Sequence, residues 1–154
     1  MRKDWDEYFM SLAFEVATRS TCLRRQVGAV AVNDRHIIIG TGYNGAPRHM
    51  THCTKDTCIR ILKKIPSGEK LEMCKAVHAE QNLVTYLGEK LKDATVYITT
   101  RPCTTCAKLL IQAGVKEIIW KHNYDDPYSS SLLTEYYSSG LVSDIHGFTH
   151  VKRL

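Results

Sequence analysis

Residues 76–120 read AVHAEQNLVTYLGEKLKDATVYITTRPCTTCAKLLIQAGVKEIIW, and this stretch decides the fold. From about Ala76 to Leu87 the pattern is helical, and Thr95-Val96-Tyr97-Ile98-Thr99 is a short β-branched run that reads as a strand. Pro102 stands where a helix favours a first-turn proline, and Cys103 to Gly114 continues as helix until the glycine stops it. Val115 to Trp120 is a second strand. Helices alternating with strands point to an α/β fold around a mixed sheet.

The flanks extend the pattern. Trp5, Tyr8, Phe9, Leu12, Ala13, Val16 and Ala17 recur at helical spacing, so about residues 4–19 form an amphipathic helix. Val27 to Val32 reads as a buried strand, Asn33-Asp34 as a turn, and His36 to Ile39 as the start of a hairpin partner. Gly40 to Gly45 is glycine-rich and reads as a loop ending in Tyr43-Asn44-Gly45-Ala46-Pro47. Residues 46–75 carry Cys53, Cys58, Cys74 and an Ile65-Pro66-Ser67-Gly68 break. That is long for a connection, so the stretch is functional or held by a local staple. Downstream, Asp125-Asp126-Pro127 breaks the chain, residues 129–139 read as a helix and Leu141 to Ile145 as a final short strand.

A chain of 154 residues is one ordinary domain, here 1–154 with an insert at about 46–75. No apolar run approaches the roughly 18–20 residues of a membrane span. The first residues lack an apolar leader core, which points to a cytoplasmic protein without a membrane partner. The net charge of +5 suits an anionic partner. The basic residues are scattered, however, and no dense basic run interleaved with aromatics indicates a nucleic-acid footprint.

Six cysteines stand at Cys22, Cys53, Cys58, Cys74, Cys103 and Cys106. Clustered thiols in a cytosolic chain of this size bind metal or do chemistry more often than they form disulfides. The decisive pieces are His78-Ala79-Glu80 and Pro102-Cys103-Thr104-Thr105-Cys106. Neither motif is diagnostic alone, but together they match the established signature of zinc deaminases. Three protein ligands, His78, Cys103 and Cys106, leave a tetrahedral zinc one open position for water. Cys103 and Cys106 lie three apart at a helix start, where the helix N-terminus favours thiolate. Zinc lowers the pKa of its water toward roughly 7. Glu80, in the first turn after His78, is the proton carrier: as a ligand it would fill the open position, but beside the metal it can move protons.

The chain resembles the deoxycytidylate (dCMP) deaminase family, including its competence-operon branch, within the zinc-dependent cytidine deaminase superfamily. The residues that carry the resemblance are Cys22 through Val30, Gly42 through Pro47, Cys74 through Asn82 and Thr100 through Cys106. The resemblance implies a three-layer α-β-α sandwich around a mixed five-stranded sheet. It also implies hydrolysis of dCMP to dUMP and ammonia, which supplies dUMP for thymidylate synthesis. By the same resemblance Asn44 contacts the deoxyribose, the Ala79 backbone meets the cytosine edge, and Tyr124 lies near sugar and phosphate. Arg24 and Arg25, just before the first strand, are candidates for the 5′-phosphate, since a guanidinium grips phosphate through paired bonds.

Removing the catalytic pair leaves Cys22, Cys53, Cys58 and Cys74. Four thiols suit a closed structural zinc site, and the family contains members with a second zinc in this region. His52 is an alternative ligand to one of the thiols, and a set of free buried thiols is the competing reading. The resemblance further implies a homo-oligomer, a hexamer in many members, with dCTP and dTTP as effectors near Arg48 and the insert. A tRNA adenosine deaminase shares both motifs but needs a basic RNA-binding face. A zinc scaffold or competence accessory protein would have no use for Glu80.

Overall fold

The computed structural model describes residues 1–153. Helix α1 (Trp5–Ala17) starts on a capping box: the Asp4 carboxylate accepts from the Glu7 N–H at 2.8 Å, and Glu7 accepts from the Asp4 N–H at 3.3 Å. These exchanges satisfy N–H groups that a helix start leaves without partners. Strands β1 (Gly28–Val32) and β2 (Ile38–Tyr43) form the antiparallel hairpin. The short helix α2 (Ile59–Leu62) and a 3₁₀ turn at Leu71–Met73 lie within the insert. Helix α3 (Ala79–Leu87), β3 (Thr95–Thr100), α4 (Thr104–Gln112), β4 (Glu117–His122) and α5 (Pro127–Tyr136) follow, then β5 (Val142–Ser143) and β6 (Thr149–Lys152).

The strands run in the order β2-β1-β3-β4-β6-β5. Only β3 and β4 pair in parallel, joined by the crossover helix α4; the other neighbours are antiparallel. Alternation along the strands divides the core. Val30, Val32, Tyr97 and Ile119 face α1 through Phe9, Met10 and Ala13. Ala29, Ala31, Val96, Ile98, Ile118 and Trp120 face the opposite layer through Leu83, Ala107, Leu110 and Leu133. Each such fully buried aliphatic side chain contributes about 1.5–3 kcal/mol relative to exposure. The result is the expected three-layer α-β-α arrangement.

Several expectations need correction. The sheet has six strands, not five, because β6 pairs with β4 and carries β5 on its outer edge. Gly40 to Tyr43 belong to β2 and not to a loop. The glycines serve close approach: a Cβ on Gly42 would sit 2.4 Å from the Ala79 carbonyl oxygen, and one on Gly40 would meet the Leu87 side chain at 2.8 Å. Helix α1 ends at Ala17, so Cys22 lies in the following loop. Helix α5 begins at Pro127 and ends at Tyr136, earlier than the pattern implied. Pro102 precedes the N-cap of α4 instead of occupying its first turn.

Candidate active site

Helices α3 and α4 aim their N-termini at one point. His78 is the N-cap of α3 and Cys103 the N-cap of α4. The Gln81 side chain accepts from the His78 N–H at 2.8 Å and so fixes the histidine backbone. An isolated β-bridge helps: the Val77 N–H donates to Gly45 at 2.8 Å, and the Gly45 N–H donates back at 3.1 Å. The glycine loop and the His-x-Glu motif are therefore locked together.

His78 Nδ1 lies 3.6 Å from Cys103 Sγ and 3.4 Å from Cys106 Sγ, and all three donor atoms lie within 4.8 Å of one another. Zinc bonds of about 2.0 Å to nitrogen and 2.3 Å to sulfur, opened to a tetrahedral angle, place N and S about 3.5 Å apart. The donor set and its spacing therefore fit zinc. A hydrogen bond from Cys106, with a second from His78, pulls the Cys103 thiol down to about 4. The hydrogen bond to Cys103 and burial push Cys106 up, and contact with Cys103 raises His78. The two thiols are hydrogen-bonded to each other, and metal binding would require both as thiolates.

A cavity of about 320 Å³ opens beside these donors. Glu80 is its one carboxylate among the described residues, 4% exposed. Burial pushes its carboxyl up to about 7, opposed by the His78 charge. Arg24, Arg25, Asn44, Ala79 and Tyr124 all line the same cavity, so the structure gathers every expected substrate contact around the metal donors.

Most of the hydrogen-bonding capacity of Asn44 is already committed. Its carboxamide oxygen accepts from Ser20 Oγ at 2.6 Å and the Val27 N–H at 2.8 Å, and its amide donates to the Arg25 carbonyl at 2.8 Å. One amide hydrogen is left for a ligand. Asn44 therefore shapes the arginine loop as well as facing the cavity. The Arg25 guanidinium stacks 4.9 Å over the Tyr124 ring.

Two charged cavity residues were missed by the sequence reading. Arg60 reaches in from α2, and Arg101 from the end of β3. Arg101 donates to Ser130 Oγ at 2.7 Å, to the Asp126 carbonyl at 3.0 Å, and to the Tyr124 carbonyl. It thereby pins the loop that carries Tyr124. Asp126 in turn accepts from the Thr104 N–H at 2.7 Å and caps the start of α4 from outside. Arg101 stands directly before the Pro-Cys motif, which is a signal in hindsight; Arg60 sits in an aperiodic insert and carries none.

The remaining cysteines are less tightly gathered. All six are free thiols, and among the described residues Cys22, Cys53, Cys58 and Cys74 supply no three-donor cluster at metal-ligand spacing. They are neighbours nonetheless: burial raises the Cys53 thiol, with Lys75 opposing and Cys58, Cys74 and Cys22 adding to the rise. His52 faces a different cleft, shared with Arg48 and Tyr86. Among the described residues no helix is long and apolar enough to cross a membrane.

The family model for the cytidine and deoxycytidylate deaminase zinc-binding region matches residues 3–122. The deoxycytidylate deaminase of Schizosaccharomyces pombe is 38% identical over 135 residues, which is 86% of this chain and 42% of that protein. The chain thus spans about two fifths of that relative's length. The deoxycytidylate deaminase of Mycobacterium phage D29 is 42% identical, covering 77% of this chain and 95% of its own. Among solved structures, the dCMP deaminase of cyanophage S-TIM5 in complex with dCMP and dUMP superposes with a TM-score of 0.70 at 25% identity, covering 88% of this chain and 94% of that one.

Proposed function

The chain belongs to the cytidine and deoxycytidylate deaminase family, and from that premise we propose that it hydrolyses dCMP to dUMP and ammonia. The observation that carries this reading is the placement of buried Glu80 beside the His78, Cys103 and Cys106 donors, in a cavity whose other charged side chains among the described residues are the guanidinium groups of Arg24, Arg25, Arg60 and Arg101. Zinc, when bound, supplies an activated water. Glu80 takes one proton from the attacking water and delivers it to the pyrimidine ring nitrogen, then takes the second from the resulting C4 hydroxyl and delivers it to the amine, which departs as ammonia as the C4 carbonyl forms. The first-turn N–H of Ala79 has no intrahelical acceptor, so it is available to the base edge. Arg24 and Arg25 approach the 5′-phosphate, with Tyr124 between them and the sugar.

The charge pattern supports a nucleotide substrate. None of Arg24, Arg25, Arg60 and Arg101 forms an ion pair with a carboxylate among the described residues. Arg24 Nη1, Arg60 Nε and Arg101 Nε are buried without hydrogen-bond partners. Partly buried cations without counter-charges call for an anionic ligand.

The reading includes residues 1–154 as one deaminase domain whose 46–75 insert is tied by a second zinc at Cys22, Cys53, Cys58 and Cys74. The grouping of the four thiols around Cys53 supports it. One zinc per chain, unchanged in Cys53→Ser, would refute it. It also includes a homo-oligomer, a hexamer, with dCTP and dTTP acting at the cleft of Arg48 and Tyr86. Flat activity across both nucleotides would remove the effector part.

The principal test is an ultraviolet deamination assay with dCMP, dCTP, deoxycytidine and cytidine side by side. dCMP is expected to be strongly preferred. Glu80→Gln is expected to lower turnover by about 10²- to 10⁴-fold with zinc retained. Normal turnover in that variant would refute the mechanism.

A further inference from the structure

Helix α2 inverts the usual order of burial. Its Leu62 is 56% exposed, while its Arg60 is only 8% exposed. A helix that merely plugged the insert onto the core would bury the leucine and leave the arginine in water. Here the arginine points inward and lines the cavity that holds Glu80 and His78. Its Nε is buried without a partner, and the guanidinium's one hydrogen bond among the described residues is a 3.3 Å donation to the Pro66 carbonyl. No carboxylate neutralises it among the described residues.

The rest of the insert leans the same way. Ser67 lies 3.5 Å from Arg25 Nη2. Gly68, at φ +81°, packs against Tyr124, where a Cβ would stand 3.4 Å from the hydroxyl. The insert is therefore one wall of the site, and its buried cation lines the same cavity as the arginine loop.

We propose that Arg60 is a substrate-binding and specificity-setting residue: together with Arg24 and Arg25 it grips the 5′-phosphate, and it makes the enzyme prefer a nucleoside monophosphate over the nucleoside. This rests on the deamination reaction proposed above. A phosphate dianion supplies the acceptors and the counter-charge that Arg60 lacks. A charge-assisted contact of this kind changes affinity by about 10- to 100-fold.

The test compares wild type, Arg60→Ala and Arg60→Lys in the zinc-loaded full chain. With dCMP, kcat/KM is expected to fall about 10- to 100-fold in Arg60→Ala, and Arg60→Lys should recover part of the loss. With deoxycytidine, which has no phosphate, both variants should stay within about twofold of wild type. Equal losses on both substrates, or no loss on dCMP, would overturn the proposal. Equal losses together with a lowered Tm would reassign Arg60 to holding α2 against Pro66. A parallel calorimetric titration uses 2-deoxyribose 5-phosphate, which carries the phosphate and no base. If wild type binds it and Arg60→Ala does not, the assignment holds even where dCMP turnover fails. Binding that survives in Arg60→Ala would overturn it.

Discussion

Replacing Asp126 with alanine tests whether the metal-bearing helix is held from outside. Cys103 occupies the N-cap of α4 but makes no side-chain cap bond, because its sulfur faces His78. Asp126 supplies the missing cap. Its carboxylate accepts from the Thr104 N–H at 2.7 Å and from Thr104 Oγ1 at 2.8 Å, and also from the Ser129 N–H at 3.2 Å at the start of its own helix α5. Burial pushes this carboxyl up, but the hydrogen bonds from Thr104 and Ser129 outweigh it and hold the group below its usual range. Loss of the α5 cap costs about 1 kcal/mol, and loss of the charged bond to α4 costs about 1.5–3 kcal/mol. Together these lower Tm by roughly 6–12 °C for a chain of this size. A supporting group behind a ligand typically contributes about 10- to 100-fold in metal affinity, so a chromophoric-chelator competition should show zinc binding weakened by at least about tenfold. Because the folded carboxyl is depressed, its contribution is present above the ordinary carboxyl range and is lost as pH falls below it. The melts therefore belong at pH 7. Asp126→Asn, which keeps an acceptor but not the charge, should fall between wild type and alanine. A Tm change under about 2 °C with unchanged zinc affinity would refute the reasoning.

Two further outcomes follow from contacts of the same quality. Gly42→Ala places a Cβ against the Ala79 carbonyl, 2.4 Å away. Relief requires α3 to shift, so stability should fall by about 1–3 kcal/mol and zinc affinity should fall with it; urea denaturation and chelator competition read both, and a fully active, equally stable variant would sink the idea. His150 is held between Glu117 at 3.3 Å and Asp144 at 2.6 Å, and the bond to Glu117 leads in raising it to about 8. A raised histidine stabilises fully below its ordinary value near 6.5 and loses that contribution as pH rises through about 8, on the order of 2 kcal/mol. Urea midpoints from pH 6 to pH 9 should show this fall in wild type and not in His150→Gln; parallel profiles would count against it.

The parts of the site that were legible in the sequence are those whose chemistry dictates residue type. A metal needs donors, and donors at a helix cap and one turn later produce Cys-x-x-Cys whatever the surroundings. A proton carrier beside the metal produces His-x-Glu in the same way. The glycines of β2 were misread because glycine carries low strand propensity, while the reason for them is tertiary: α3 must approach within backbone contact. Strand β6 was missed because four residues, Thr149 to Lys152, give little alternation to read. Arg60 was invisible for a different reason. Its role depends on where an aperiodic insert folds back, and no local pattern encodes that return. Asn44 shows the intermediate case: the Asn-Gly dipeptide marks a turn, but its bonds to Val27 and Arg25 join positions 17 and 19 residues apart.

The electrostatics of the cavity connect these pieces. The donor set supplies two thiol sulfurs and a neutral imidazole nitrogen, so a divalent zinc with both thiols ionised is close to electroneutral. Glu80, pushed up to about 7 by burial, adds at most one negative charge, and the proposed proton transfers would have it alternate between charged and neutral forms. The guanidiniums of Arg24, Arg25, Arg60 and Arg101 therefore find no lasting counter-charge inside the cavity. Arg101 spends its donors on carbonyls and a hydroxyl and serves as a clamp; the other three leave the bulk of theirs free. A ligand that satisfies them must carry its charge away from the metal, on the side where the arginine loop and the insert meet. A nucleoside monophosphate does so, because its base and its phosphate stand at opposite ends of one sugar. Under the proposed reaction the cavity separates two tasks: proton transfer at Glu80 beside the metal donors, and affinity at the arginines. Substitutions at the two ends should accordingly divide between kcat and KM.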